Sequence, residues 1–390
     1  MHPLRQRFGR PLRLGCIGGG PDSWIGRMHR GAAELDGFWR VVAGVFSSDP
    51  ARSRAAGPLL GIDADRSYGS VDEMLAAEAG RADRIDAVAI MTPNDRHHRD
   101  AAAALDAGLD VVCDKPIAGT HAQALDLVER TRNKGRLFAV AHGYSAYPMV
   151  RHAREQVRRG AIGAVRLVQV EYIQGSLAMR IEDGPLDNRL RWILDAARSG
   201  QALVMSAIGC HAQHLACFVI GSRIARVAAE AGALVPGRRL IDHVSALLEF
   251  DNGARGTFTA TQAAAGMEND IRLRVVGEKG TLEWAHREAG YLKLAMHGEP
   301  LRVIGRGDAY LSAEVTAAGR TPRGHPEGLR EAFANVYAEL AQERMAFALG
   351  EVMDRQRLPY PRVEDGAHTM AFVEACLASS AQRRWVDVAA

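Results

Sequence analysis

The sequence has no apolar run near the roughly 18 residues that a bilayer span requires, so no membrane-spanning helix is expected. It has no CxxC pair. Its five cysteines (Cys16, Cys113, Cys210, Cys217, Cys376) are odd in number and widely spaced, which argues against both a zinc site and a disulfide framework. Cys16 and Cys113 fall inside apolar runs and read as small core residues. The N-terminal MHPLRQRFGRPLRLG is basic but lacks the apolar segment of a secretory signal, and the protein is expected to be cytoplasmic. Arginine far outnumbers lysine, yet the net charge of +3 is too small and too scattered for a nucleic-acid partner. No internal repeat, low-complexity segment or metal-ligand cluster is visible.

What is present is the composition of a soluble globular chain, 47% hydrophobic and 24% charged. At 390 residues it is long for one domain and comfortable for two. Over the first 140 residues, near-continuous apolar runs alternate with helical patterns. Strands are expected at Arg13–Ile17, Trp39–Phe46, Ile85–Met91, Asp110–Cys113 and Leu137–His142. Helices are expected at about Gly26–Leu35, Pro50–Leu60, Val71–Ala79, Arg96–Ala107 and His121–Lys134. Such alternation implies a parallel sheet covered on both faces, with right-handed crossovers. After a helix at about Met149–Arg159 the pattern changes to longer alternating strands (Val165–Gln174, His243–Phe250, Ala254–Gln262, Ile271–Val276, Thr281–Trp284, Tyr291–Met296). Asp251-Asn252-Gly253 and Glu278-Lys279-Gly280 mark two hairpins. Helices at about Ile208–Ile220, Pro326–Leu349 and Val363–Ser380 are expected to cover one face of that sheet, leaving the other to meet a second subunit. The expected fold is thus α/β: an N-terminal Rossmann parallel sheet in a dinucleotide-binding domain, residues 1–142, then a C-terminal α+β domain for substrate binding and oligomerisation, residues 143–390, on a large, mainly antiparallel open sheet.

The stretch GCIGGGPDSWIG, Gly15 to Gly26, joins the first strand to the first helix. The standard dinucleotide fingerprint is G-x-G-x-x-G. Gly18 and Gly20 supply its first two glycines, but the third position is Ser23; Gly26 fits only if the loop carries three extra residues. In that reading Gly18 allows the tight turn and Gly20 lets the backbone approach a pyrophosphate. Gly26 lets the helix start close to the strand, its N–H groups aimed at the phosphates. The alternative is a plain glycine turn; the strand before, the helix after and the second strand twenty residues on favour the dinucleotide. At the end of the second strand, Ser47-Ser48-Asp49-Pro50 precedes Arg52 and Arg54. Small hydroxyls followed by arginines suit a 2′-phosphate, since guanidinium binds phosphate as a fork, so the cofactor is expected to be NAD(P) with a slight lean to NADP. Asp49 also reads as a helix cap with Pro50 at the first helical position, and an acid there can bind ribose hydroxyls.

DAVAIMTPNDRHH followed by GLDVVCDKPIA, residues Asp86 to Ala118, resembles the glucose-fructose oxidoreductase / inositol dehydrogenase (Gfo/Idh/MocA) family. The loop variant G-G-G-x(4)-I-G-x-x-H, the stretch GHPEGLREAFANVY and VEDGAHTMAFVEA look like one branch of it, so the resemblance spans nearly the whole chain. It implies that Thr92-Pro93-Asn94 lies beside the nicotinamide and that Asp114-Lys115-Pro116 ends the strand carrying the catalytic lysine. It adds Ile25, His97, Asp114 and Lys115 to the cofactor contacts. Lys115 at the C-terminal edge of a parallel sheet stands where ligands bind, and an ammonium there can bind a substrate hydroxyl and help remove its proton.

The family also places Asp and His four residues apart in D-x-G-x-H on a helix opening, on one face. Here MSAIGCHAQHLACF matches with Gly209 and His211, but the acid is Ala207. No carboxylate is then available to orient the imidazole or raise its pKa. His211 is expected to assist Lys115 in catalysis and, with Tyr144, Arg191, Trp192, His214 and His325, to meet the substrate. Tyr144 and Tyr147 read equally as core, and His214 equally as a helix-surface residue. Arg238 and Arg239 read as solvated loop charges. The resemblance implies an NAD(P)-dependent oxidoreductase acting on a CH–OH carbon of a sugar, cyclitol or glycoside held in a cleft between the domains, in a homodimer or homotetramer. Ala207 keeps two alternatives open: a relative that retains NAD(P) for net non-redox chemistry (elimination, epimerisation or glycoside cleavage), and a non-catalytic dinucleotide-binding protein.

Overall fold

The structure, a computed structural model, describes residues 2–185, 191–192, 194–195, 198 and 202–389. The chain forms two compact units: Met1–Ala118 with Ala122–Ala146 and Leu329–Gly366, and Gly119–His121 with Tyr147–Gly328 and Ala367–Ala390.

In the first unit, short helix α1 (Pro3–Phe8) precedes β1 (Leu12–Gly18), α2 (Trp24–Glu34), β2 (Trp39–Val45), α3 (Pro50–Leu59), α4 (Val71–Ala79), β3 (Ala87–Met91), α5 (Asn94–Asp106), β4 (Asp110–Cys113), α6 (His121–Asn133) and β5 (Phe138–Val140). The strands are parallel in the order β2-β1-β3-β4-β5. Their buried apolar runs are what a doubly covered sheet requires. Expected boundaries hold to within a few residues, with one informative shift. Ser23, not Gly26, stands at the opening of α2: its hydroxyl accepts the Gly26 N–H at 3.0 Å, and the helix begins at Trp24.

Two corrections concern which sheet a helix serves and which strands exist. The helix expected from Pro326 begins at Leu329 and belongs to the first unit, not to the antiparallel sheet. It packs on α1, α2 and the turn Gly143–Ala146. The β1-to-β2 crossover runs opposite to those from β2 to β5, so right-handedness sends α2 alone to one face and the long returning helix completes that face. Trp39 Nε1 donates to the Tyr337 carbonyl at 2.8 Å and Asn335 Nδ2 to the Ala146 carbonyl at 2.9 Å.

The second unit holds α7 (Pro148–Arg158), β6 (Val165–Ile173), α8 (Cys210–Ile220), β7 (Ile224–Gly232), β8 (His243–Phe250), β9 (Arg255–Thr261), β10 (Asp270–Gly277), β11 (Gly280–Ala285), β12 (Tyr291–Met296), β13 (Arg302–Gly305) and α9 (Ala313–Ala317). The Leu329–Ala348 helix of the first unit is α10. Helix α11 (Val363–Gln382) and β14 (Val386–Asp387) close the chain. Sheet order is β13-β12-β11-β10-β6-β9-β8-β7-β14, antiparallel except for the β6–β9 pair. Strands β7, β13 and β14 were not expected. Side chains alternate between a buried face, covered by α7, α8 and α11, and an open one. Phe372 of α11 meets Phe258 of β9 edge-on at 5.2 Å, and Thr369 Oγ1 donates to Gln213 of α8 at 2.7 Å.

Arg238 is not a solvated charge. Its side chain is 0% exposed, as is that of Asp242, 3.1 Å away. It also donates to Glu182 at 2.7 Å and to the carbonyls of Leu177 (2.6 Å) and Met179 (2.9 Å). Arg239 is exposed, as expected.

Candidate active site

All five parallel strands end on one edge. The pairings Gly18↔Met91 and Ile90↔Cys113 put the ends of β1, β3 and β4 side by side. At about 4.8 Å per strand, the glycine turn and the Asp114-Lys115-Pro116 turn lie two strand spacings apart on that edge.

The glycine turn is built for close backbone approach. Gly18 has φ +87°, and a Cβ there would stand 2.8 Å from the Met91 carbonyl oxygen. A Cβ on Gly20 would meet the Phe46 carbonyl at 2.9 Å. Gly26, inside the first turn of α2, lies against Gly19: a Cβ would fall 2.4 Å from its carbonyl oxygen and 2.6 Å from its Cα. The inserted Pro21-Asp22 forms a turn leading to the Ser23 cap, so the longer loop still delivers a helix N-terminus, with Ile25 in its first turn. Such a cradle, which any side chain would fill, fits a pyrophosphate. Arg30, one turn along α2 and absent from the sequence-based candidates, donates to the Gly19 carbonyl and braces the turn. Its only sequence signal was the four-residue spacing from Gly26. Gly26→Ala is expected to weaken NADH binding about 10- to 100-fold, or 1.4–2.7 kcal/mol, by fluorescence titration. Gly31→Ala on the same helix, whose Cβ meets only an arginine methylene at 3.6 Å, should leave affinity unchanged. Equal affinities in both variants would remove Gly26 from the cradle.

At the end of β2, Asp49 caps α3 by accepting the Arg52 N–H at 2.8 Å, and Ser47 Oγ accepts the Asp49 N–H at 3.1 Å. Ser48 and the Arg52 side chain are exposed. Arg54 is engaged by Glu73 at 2.8 Å, and that hydrogen bond holds the Glu73 carboxyl below its ordinary pKa.

At the end of β3, Thr92 Oγ1 donates to Asp100 at 3.1 Å, and burial pushes the Asp100 carboxyl up. Pro93 and Asn94 open α5. His97 is almost fully buried, its Nδ1 2.6 Å from the Pro116 carbonyl oxygen and its Nε2 2.7 Å from that of Thr92. Each ring nitrogen thus faces a backbone carbonyl oxygen, one at each of the two turns. Asp114 Oδ1 accepts the Lys115 N–H at 2.8 Å, and Lys115 is half-buried. Beneath the edge, the Cys16 thiol is pushed up to about 12 by burial and Cys113 well above its ordinary value, as core cysteines should be. His29 is wholly buried, its Nδ1 2.7 Å from the Tyr337 hydroxyl. Burial lowers the His29 pKa and raises that of Tyr337.

Tyr144 is buried in the Gly143–Ala146 turn of this unit. Tyr147, in the second unit, is core: it packs on Trp284 at 5.6 Å and its hydroxyl lies 3.2 Å from His286 Nε2.

In the second unit, a π-type turn, Met205–Gly209, runs into α8. Wide turns of this type are frequent at functional sites. Ala207 lies on it, half-buried, and His211 sits in the first turn of α8, its ring 6.5 Å from that of Tyr172. Gly209 packs closely there: a Cβ would meet Met205 Sδ at 2.7 Å and the Phe258 ring at 3.3 Å. His214 is buried beside Phe218 at 5.8 Å, which excludes its reading as a surface residue. Arg191 is exposed and Trp192 half-buried; residues 186–190 and 193 of the same candidate segment lie outside the described residues. His325 is exposed, on a loop fixed by Arg306, which donates to its carbonyl oxygen and pairs with buried Glu327 at 3.1 Å. Among the described residues no group of three His, Cys, Asp or Glu stands ready to hold a metal ion, and no helix is long and apolar enough to cross a membrane.

Residues 12–142 match the family described as "Oxidoreductase family, NAD-binding Rossmann fold", and residues 150–283 match "GFO/IDH/MocA C-terminal domain". The chain is 32% identical over 382 residues to the oxidoreductase YfiI of Bacillus subtilis, covering 97% of each. It is 26% identical over 312 residues to levoglucosan dehydrogenase of Pseudarthrobacter phenanthrenivorans, covering 73% of this chain and 76% of that one. An inositol dehydrogenase homologue from Azotobacter vinelandii, crystallised with NAD+, shares 33% identity and a TM-score of 0.92, over 99% of this chain and 100% of the other. A second crystal structure from that organism, an inositol dehydrogenase homologue with NADH and myo-inositol, has a TM-score of 0.88 at 33% identity, over 98% of each chain.

Proposed function

Because the chain belongs to the Gfo/Idh/MocA oxidoreductases, an NAD-binding family, we propose that it is a dehydrogenase of a polyol, cyclitol or anhydrosugar. The observation that carries this reading is the lysine turn on the same sheet edge as the glycine cradle. In it, Gly18, Gly20 and Gly26 receive the pyrophosphate. Lys115 binds the substrate hydroxyl and takes up its proton, and His211 is the second proton-handling group. When bound, the nicotinamide supplies the hydride acceptor.

NAD is the better fit of the two cofactors. One of the two arginines that suggested a 2′-phosphate, Arg54, is already held by Glu73. Asp49 uses one carboxylate oxygen on the Arg52 N–H, and its second is chemically suited to a ribose hydroxyl. The similar inositol dehydrogenase homologue was crystallised with NAD+. The partner is a small molecule, and a second copy of the chain is proposed to dock on the open sheet face, where exposed Leu247 stands on the same sheet as the charged surface of Arg272, Arg274 and Glu283.

The test is a screen of myo-inositol, other cyclitols, levoglucosan and pentoses with NAD+ and NADP+. One NADH should form per substrate oxidised, with NAD+ preferred. Ala207 keeps both alternatives open, since no carboxylate stands at that position to orient His211: turnover without net NADH would establish non-redox chemistry. NAD+ binding without turnover of any substrate would leave only a binding protein.

A further inference from the structure

The hydrogen-bond ladder between β3 and β4 ends abruptly. Its last Cα pair is Ile90↔Cys113, followed by Asp114 N–H donating to the Ile90 carbonyl at 2.8 Å. Beyond it both chains turn through a proline, Pro93 on one side and Pro116 on the other. Proline has no N–H, so neither turn can carry the ladder forward. The Thr92 and Pro116 carbonyls must then find donors elsewhere, as buried backbone groups require. The group that spans them is the His97 ring, one nitrogen 2.7 Å from the first oxygen and the other 2.6 Å from the second; a neutral ring donates its one N–H to one of the two, as the tautomer decides, and sets its other nitrogen against the second. This ring rises from the first turn of α5 and is 1% exposed. The same turn is tied again by Thr92 Oγ1 to Asp100.

We infer that His97 is a positioning residue: a strut that holds the Lys115-Pro116 turn at a fixed separation from Thr92-Pro93-Asn94, and so sets where the Lys115 ammonium is presented. The inference rests on the reading of Lys115 as the proton-handling group. Strands β3 and β4 remain paired without the strut, so its removal loosens the turn rather than the sheet. A displacement near 1 Å is enough to cost about 100-fold in rate.

The sequence offers a probe that needs no substrate. It contains four lysines, Lys115, Lys134, Lys279 and Lys293, so reductive ¹³C-methylation of the full chain gives a lysine spectrum assignable by single Lys→Arg variants. In the native protein NAD+ should move the Lys115 signal and leave the other three in place. In His97→Ala the Lys115 signal should be broadened or doubled before NAD+ is added and should fail to reach its native bound position. The NAD+ dissociation constant by fluorescence should stay within about threefold, because the glycine cradle is built separately. Added imidazole, filling the space of the lost ring, should restore the native signal. His97→Gln, whose amide can still donate, should be intermediate and serves if the alanine variant does not fold. A native Lys115 signal and a native response to NAD+ in the folded variant would overturn the strut. A Lys115 signal unmoved in native protein saturated with NAD+ would instead overturn the proposed role of Lys115, leaving the two failures distinct.

Discussion

Lys115→Met is expected to lower kcat for the best substrate of the screen by about 10³-fold, within the range that general acid–base catalysis supplies, while the NAD+ dissociation constant changes less than about threefold. The side chain leaves the sheet edge on a turn whose backbone N–H is held by Asp114 and whose following carbonyl is held by His97. Methionine keeps length and packing but can neither bind a hydroxyl as a cation nor move its proton. Lys115→Arg separates these two roles. Guanidinium keeps the charge and the donors but does not give up or accept a proton near neutral pH. A rate as low as that of the methionine variant shows proton transfer to be what matters; a rate near native shows charge alone to be sufficient. Retention of native kcat by Lys115→Met would remove the lysine from the chemistry altogether.

The sequence was most informative where physics is local. Parallel strands announced themselves as apolar runs, antiparallel ones by alternation, and the Asp251-Asn252-Gly253 turn by its residue types, because pleat and turn geometry act over a few residues. The edge carrying Gly18, Thr92 and Lys115 was legible for the same reason: each ends a recognisable strand. What failed was pairing over distance. The α10 pattern says that the helix is buried, not against which sheet, and only the bare face left beside α2 decides that. Strand β7 (IARVAAEAG) is alanine-rich and gives a weak alternation. The backbone partners of His97, the Thr92 and Pro116 carbonyls, were not legible, since nothing local shows that two prolines strip the ladder of donors there. Ala207, by contrast, needed no structure: it is a missing carboxylate in a fixed spacing.

Arg238 shows the same limit at its sharpest, and its removal carries the second large expected effect. An arginine in a Pro-Gly-Arg-Arg turn is ordinarily solvated, yet this one is wholly buried with Asp242, and Glu182 lies 56 residues upstream. Arg238→Met is expected to destabilise the protein by about 3–5 kcal/mol in denaturant titrations, the usual cost of stranding one member of a buried ion pair. Asp242 would keep only the Leu234 and Val235 N–H groups (2.8 and 3.3 Å), and the carbonyls of Leu177 and Met179 would lose their donor. Arg238→Met with Asp242→Leu removes the stranded charge and should recover part of the loss, though not all, since it orphans those two N–H groups in turn. Acid adds an independent check. The hydrogen bond from Arg238 holds the Glu182 carboxyl below its ordinary pKa, near 4.3 for a free glutamate. Its contribution is therefore present in full above that value and is lost as pH falls through the lowered one. The native protein should lose stability in that acid window more steeply than Arg238→Met, which has no such contribution to lose. Parallel acid profiles, or a loss below about 1 kcal/mol at neutral pH, would mean that the buried cluster contributes no more than an exposed ion pair.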